Sequence, residues 1–117
     1  MPKTPSSQSV FSRRLREARL RSGIAQDRLG VMIGLDEGCS SARMSRYENG
    51  VHEPPFPVIA NIARILKLPV AYFFCDDDRL AEIIRTYSSA SEKTRQAMFD
   101  AVTALGSGPE NPTHRKK

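Results

Sequence analysis

The chain has 117 residues, and its 18 Lys and Arg residues outnumber its 13 Asp and Glu residues, which gives a formal net charge of +5. Hydrophobic residues make up 39% of the chain and aromatic residues 7%, proportions that fit one small helical domain and exclude a second large core. The longest apolar stretch, residues 68–75, is interrupted by Pro69 and is far shorter than the ~20 residues of a membrane span, which excludes a membrane protein.

Apolar residues recur with helical spacing through the middle of the chain, and no alternating run typical of a strand occurs. Glycines and prolines end each segment at intervals that suit short helices. The predicted helices cover residues 9–21, 26–33, 40–49, 59–66 and 69–73, followed by one that starts within residues 76–78 and one that Ser91 caps. Ser40 is the predicted N-cap of the third helix, and Pro54, Pro55 and Pro57 are assigned to the connection before the fourth. The fold class is therefore predicted to be all-α, with disordered tails at residues 1–8 and 106–117.

The positive charge is concentrated near the start of the chain. Six basic residues and one acidic residue lie within the first 24 positions. A basic helix of this kind can displace counterions from DNA phosphates, although an ordinary solvated helix face has the same composition. Charge alone therefore suggests an acidic partner and does not name it.

The most informative stretch is a short helix, a turn that contains glycine, and a second helix that ends in Ser-Arg-Tyr-Glu-Asn-Gly at residues 45–50. With Gln26 and residues 34–35 upstream and the run at residues 62–66 downstream, it resembles the lambda-repressor and Cro type of helix-turn-helix regulator, the XRE family. The resemblance implies a lambda-repressor-like DNA-binding domain of about five helices over residues 9–75, with a C-terminal helical extension.

In proteins of this type the second helix of the motif, the recognition helix, lies in the major groove of DNA. The resemblance therefore implies contacts to base edges from Ser41, Ala42, Ser45 and Arg46. Arg46 is the strongest candidate, because a guanidinium can bond guanine O6 and N7 together. The two serines have a plain alternative, which is helix capping or simple exposure to solvent.

The same resemblance implies contacts to DNA phosphates from Arg14, Arg16, Gln26, Arg43 and Asn49. Basic side chains and helix starts both attract phosphate groups.

The resemblance also pairs Arg19 with Glu48, in a structural ion pair that holds the first helix against the recognition helix. Two separate surface charges are the alternative. Met44 and Tyr47 are interpreted as core residues that support the recognition helix.

Four features depart from the family pattern. Residues 36–39 lengthen the turn before the recognition helix and place two acids beside it. Ala25 stands where a Ser or Thr cap is usual, and Gly30 replaces a customary Ala, each at a cost of ~1 kcal/mol unless close packing requires the glycine. Residues 51–55 are less basic than the usual loop after the motif. These departures affect the expected DNA affinity more than the fold.

We therefore expect a transcriptional regulator, and more specifically a repressor, that binds an inverted-repeat operator in double-stranded DNA as a homodimer. The helices within residues 76–105 have apolar faces too large to leave exposed, so we expect them to pack on the domain, on a second copy, or both, with a protein partner as a further possibility. The alternative is an antitoxin-like protein-interaction module in which DNA binding is secondary.

An enzyme is not expected, because the sequence lacks a Gly-rich phosphate loop, a Ser/His/Asp arrangement and paired carboxylates. His52 and His114 have no partners at catalytic or metal spacing, and Cys39 and Cys75 do not form a zinc motif. The acids at residues 76–78 are interpreted as partners of a helix dipole. We therefore predict no cofactor, no metal and a cytoplasmic protein with reduced thiols, and the polar start predicts no secretory signal.

Overall fold

The computed structural model describes residues 9–106, and this part of the chain is entirely helical. Its helices are α1 (Val10–Ser22), α2 (Gln26–Met32), α3 (Glu37–Asn49), α4 (Phe56–Leu66), α5 (Val70–Phe73), α6 (Asp78–Ser89) and α7 (Glu92–Gly106). The all-α fold class is thus confirmed. The predicted disordered tails lie outside the described residues, apart from Gly106, which ends α7.

The first five helices share one hydrophobic core. Aromatic rings join its two ends, since the centroids of Phe11 in α1 and Phe73 in α5 lie 5.9 Å apart. Fully burying a large apolar side chain contributes about 1.5–3 kcal/mol, so these contacts hold the five helices as a unit. The core residues from these helices are Phe11, Leu15, Ala18, Leu29, Met44, Tyr47, Ile59, Ile62, Ala63, Leu66, Tyr72 and Phe73.

The helix α3 begins a turn earlier than its sequence predicts. Asp36 occupies the N-cap position, and the segment that was expected to lengthen the turn forms the first turn of α3 instead. Ser40, the predicted N-cap, is fully buried, and its hydroxyl donates a hydrogen bond to the carbonyl of Asp27 at 2.6 Å. The local capping signal at Ser40 was therefore misleading, because this serine is used in packing α3 on α2.

Close packing of α2 on α3 also explains the glycine at position 30. A Cβ atom at Gly30 would lie 1.9 Å from Ser40 Oγ and 3.0 Å from Met44 Cγ. The glycine therefore lets the two helices approach more closely than an alanine would allow.

The helix α4 also starts earlier than predicted, at Phe56 instead of Ile59. Pro57 lies in its first turn, where the missing N–H costs no intrahelical hydrogen bond. The proline that appeared to delay this helix is thus part of its start.

The two C-terminal helices lie largely outside the core. Ala81 is the buried residue of α6, and no residue of α7 is buried. The start of α6 is capped by Asp77, whose carboxylate accepts from the N–H groups of residues 79 and 80 at 2.8 and 3.1 Å. Ser91 caps α7 as predicted, since its Oγ accepts from the N–H of Thr94 at 3.2 Å. Over residues 9–106, no helix combines the length and apolarity needed to cross a bilayer.

Candidate nucleic-acid interface

The helix α3 has two chemically different sides. Its buried side carries residues that repeat with the spacing of one helical face: Ser40, Met44, Tyr47 and Glu48. Its exposed side carries most of the residues predicted to contact DNA: Ser41, Ala42, Arg43, Arg46 and Asn49. Ser45, the sixth predicted contact on α3, is half-buried, and its Oγ accepts a hydrogen bond from Asn49 Nδ2 at 3.2 Å. The fold thus turns a polar surface of α3 outward.

A buried ion pair ties α3 to α1, and it joins the two residues that the resemblance paired. Arg19 donates from its Nε and from a terminal nitrogen to the two carboxylate oxygens of Glu48, at 2.5 and 3.1 Å. Arg19 also donates to the carbonyl of Ile24 at 2.9 Å. Both charged groups are buried, and a buried pair that loses one partner costs about 3–5 kcal/mol. This contact therefore fixes the position of α3 strongly.

Gln26, at the start of α2, belongs to the same network. Its amide nitrogen donates to Glu48 Oε1 at 3.1 Å, so the Glu48 carboxylate accepts hydrogen bonds from side chains of both α1 and α2. An amide nitrogen carries two N–H groups, and one of them is left for a ligand outside the protein. The predicted phosphate contact of Gln26 is compatible with this orientation.

Arg14 does not belong to the exposed surface around α3, and its position corrects the prediction that it contacts a DNA phosphate. Its side chain is only 3% exposed. Its Nε donates to the carbonyl of Cys75 at 2.7 Å, and its terminal nitrogens donate to the carboxylates of Glu17 and Asp78, each at 2.9 Å. The sequence alone did not reveal this role, because two of the acceptors, the carbonyl of Cys75 and the carboxylate of Asp78, lie more than 60 positions further along the chain. Arg14 connects α1 to the start of α6.

The other basic residues of the predicted surface are exposed. Arg16 lies 4.0 Å from Glu48 at the margin of the buried network. Arg43 and Arg46 of α3 line a shallow cavity, together with His52 and Glu53 of the loop that follows α3. Sequence reasoning missed His52 as part of this surface. Its place two positions after Gly50, the glycine that ends α3, was the available signal.

The described residues contain no group of three or more His, Cys, Asp or Glu side chains placed to hold a metal ion. Both cysteines are free thiols: Cys39 is exposed in the first turn of α3, and Cys75 is half-buried before α6. The arrangement around α3 is therefore one of hydrogen-bond donors and positive charges on a rigid helix, suited to binding a polar, acidic surface.

Comparison with known proteins agrees with this geometry. Residues 10–72 match the model of the helix-turn-helix domain family, which covers more than half of the chain. The structure is similar to the crystal structure of the transcriptional regulator BswR, with a TM-score of 0.79 and 36% sequence identity, over 81% of this chain and 94% of that one. Among curated proteins, none is similar enough to count as a relative.

Proposed function

This chain belongs to the helix-turn-helix family of DNA-binding transcriptional regulators, and we propose that it is a repressor that binds an inverted-repeat operator as a homodimer. The observation that carries the proposal is the exposed polar side of α3, held rigidly by the buried pair of Arg19 and Glu48. A major groove about 12 Å wide admits one helix with such a surface. In this proposal, residues 9–75 form the DNA-binding domain and residues 76–105 form the dimer.

The exposed side of α3 supplies the base contacts in this proposal. Arg46 reads a guanine through its O6 and N7 atoms, and Ala42 contacts the methyl group of a thymine. Ser41 and Ser45 add adaptable hydrogen bonds that specify a base only weakly. Within the described residues, Arg46 has no ion pair that would compete with DNA.

The phosphate contacts lie on the two flanks of α3. Arg16 and Gln26 belong to one flank, next to the buried carboxylate of Glu48. Arg43 lies on the other flank beside the loop after α3, and Asn49 lies at the end of the helix. Contacts of this kind set the position and orientation of the protein on DNA without reading the sequence.

An apolar surface on α6 and α7, which we call the C-terminal face, supports the homodimer. It consists of a groove and the residues around it: Pro69, Ile83, Ile84, Tyr87, Met98, Phe99 and Val102. Large exposed apolar surfaces mark interaction sites, and a two-fold axis places the same surface of two copies in contact. A dimer of this kind presents its two α3 helices to half-sites about 34 Å apart.

Repression follows if the operator overlaps a promoter, because the bound dimer then excludes RNA polymerase. The C-terminal face also favours a second candidate, an antitoxin-like module in which a different protein covers α6 and α7. The two candidates differ in whether the chain alone forms a dimer and selects paired sites.

Selection of bound sites from a randomised duplex library, at moderate and high salt, tests the proposal directly. We expect an enriched inverted repeat whose enrichment survives at high salt. Binding that is independent of sequence and is lost at high salt, or no binding, would contradict the repressor and favour the interaction module.

Arg46→Ala tests the base contact. We expect selectivity at one base step to fall by about 1–3 kcal/mol while non-specific binding remains, because base contacts specify and phosphate contacts position. Arg79→Ala, which removes an exposed arginine from α6, is the matched control and is expected to keep full selectivity. Equal selectivity in the Arg46→Ala variant would overturn this assignment.

Sedimentation of the purified chain tests the dimer. Phe99→Glu places a charge within the C-terminal face and is expected to give a monomer. Leu20→Glu is the matched control. Leu20 and Phe99 are equally exposed, at 55%, but Leu20 lies on α1, outside the C-terminal face. A monomeric wild-type chain would contradict the homodimer, and so would a Phe99→Glu variant that remains dimeric.

A further inference from the structure

Two arginines in the middle of α1 hold the start of α6 through several hydrogen bonds. Arg14 donates to the carbonyls of Cys75 and Asp76 and to the carboxylate of Asp78, at 2.7, 3.2 and 2.9 Å. Arg13 donates to the carboxylates of Asp76 and Asp78 at 3.0 and 3.1 Å. We call these four side chains, Arg13, Arg14, Asp76 and Asp78, the α1–α6 clamp.

The guanidinium of Arg14 is fixed on several sides. Glu17 accepts a hydrogen bond from it at 2.9 Å, and its central carbon lies 5.7 Å from the centre of the Tyr72 ring. A planar guanidinium with five donors in a rigid fork can satisfy this set of acceptors, whereas a lysine ammonium cannot reproduce the same directions. Arg14 is therefore a rigid anchor and not a mobile surface charge.

Apart from the clamp, α6 meets the domain through apolar contacts, with Ala81 buried in the core and Ile84 packed against it. The next ion pair between α1 and α6 is long, with Arg21 and Glu82 separated by 4.0 Å. Among the polar contacts between α1 and α6, the clamp therefore does most to fix their relative orientation. Because α7 packs on α6, the orientation of the whole C-terminal face follows from it.

The same helix that carries the clamp also carries the anchor of α3. Arg14 holds α6, and Arg19, five positions along α1, holds α3 through Glu48. At a rise of 1.5 Å per residue, the two anchors lie about 7.5 Å apart along one rigid helix. The helix α1 therefore links the proposed dimer surface to the proposed DNA surface.

We propose that the α1–α6 clamp sets the half-site spacing of the operator, with Arg14 as the positioning residue; this inference rests on the homodimer proposed above. In a dimer joined through the C-terminal face, the angle between α6 and α1 sets the distance between the two α3 helices. One extra base pair moves a half-site by about 3.4 Å and rotates it by about one tenth of a turn. A rigid clamp rejects such a change, whereas a loosened one tolerates it.

The experiment measures how strongly the full-length chain distinguishes spacings. Duplexes carry the selected half-sites at the preferred spacing, or with the spacer changed by one or two base pairs, or as a single half-site. The clamp variants are Asp78→Ala and Arg14→Lys. The matched control is Glu92→Ala, since Glu92 also lies in the first turn of its helix, has the same side-chain exposure of 81% as Asp78, and pairs only within α7.

We expect the clamp variants to lose up to about tenfold in discrimination between the preferred and altered spacings, because Asp78→Ala removes the hydrogen bonds from both Arg13 and Arg14, each weakened by the exposure of the carboxylate. Their affinity for a single half-site and their sedimentation as dimers should match those of wild type. A merely structural role of Arg14 would lower all affinities together and leave the spacing ratio unchanged.

Unchanged spacing ratios in both clamp variants would overturn the inference, and so would an equal loss in Glu92→Ala. If Arg14→Lys does not fold, Asp78→Ala decides alone, because its side chain is exposed. A wild-type chain that is monomeric or that selects single half-sites would overturn the homodimer and the clamp together, and this outcome is recognised from the wild type before any variant is measured.

Discussion

The helices α3 and α7 differ in what holds them in place. α3 has 13 residues and buries four of them, including a charged one, against α1, α2 and the core. α7 has 15 residues and buries none, although its surface includes Phe99, Val102 and Leu105. A helix of this length is marginal in water by itself, so α7 depends on its packing against α6.

Because of this difference, one small chain presents two surfaces of opposite chemistry. The packing of α3 is satisfied within the chain, so its outward side is free to be polar and positively charged. Within residues 9–106 no residue of α7 is buried and its outward side is apolar, as the homodimer proposed above requires.

Glu48→Ala removes the acceptor of Arg19 and leaves a buried cation without its carboxylate. We expect the free energy of unfolding to fall by about 3–5 kcal/mol, measured by urea denaturation. Glu92→Ala on α7 should change it by less than about 0.5 kcal/mol, because Glu92 is exposed. Similar losses in the two variants would break the contrast between the helices.

Two glycine substitutions should have opposite signs. Gly30→Ala forces a Cβ into Ser40 and should destabilise the fold by about 1–3 kcal/mol. Gly38→Ala, in the first turn of α3, meets nothing within 4 Å and should stabilise it by about 0.5–1 kcal/mol through helix propensity. Thermal denaturation of both variants checks the signs, and stabilisation by Gly30→Ala would contradict the close packing of α2 on α3.

Val102→Ala should weaken the dimer without weakening the protomer. Removing two buried methyl-sized groups costs about 1.6 kcal/mol per protomer at the interface, at about 0.8 kcal/mol each. Sedimentation equilibrium measures the dimer, and denaturation at high dilution measures the protomer. Val31→Ala, at an exposed site on α2, is the control and should change neither. A dimer of unchanged affinity in Val102→Ala would place the interface elsewhere.

The smallest effect is a pH dependence of the α1–α6 clamp. Hydrogen bonds from Arg14 and then Arg13 lower the pKa of Asp78 below its ordinary value of 3.8. The folded protein therefore binds this proton less readily than the unfolded chain does. The stabilisation is complete above the unfolded pKa and is lost as the pH falls from about 4 through the lowered pKa of the folded state.

Urea denaturation of wild type and Asp78→Ala between pH 7 and pH 2 measures this dependence. The gap between the two proteins should be constant above about pH 5 and should close in acid. A high-salt series should narrow it at neutral pH, because the carboxylate is exposed and its interactions are screened. A gap that widens in acid would contradict the sign of the pKa shift.

Much of the fold could be predicted from sequence because its signals are local. The spacing of apolar residues over α4 and the capping serine before α7 each depend on a few neighbouring positions. The predictions that were wrong depended on distant groups. Ser40 resembles a helix cap within its own segment, but its hydroxyl donates a hydrogen bond to the carbonyl of Asp27 in α2.

The candidate DNA surface divides in the same way. The motif at residues 45–50 and the helical spacing around it are sufficient to predict the end of α3 and to identify Met44 and Tyr47 as its core residues. The count of basic residues in α1 does not distinguish Arg14 from Arg16, since both are arginines two positions apart. Only the folded chain brings the acceptors at residues 75–78 to Arg14 and leaves Arg16 exposed.

The start of α3, the need for a glycine at position 30 and the anchoring role of Arg14 follow from the tertiary packing. Each of these depends on which remote groups meet, and the free energy of a buried hydrogen bond or a close helix contact exists only once the partners are brought together.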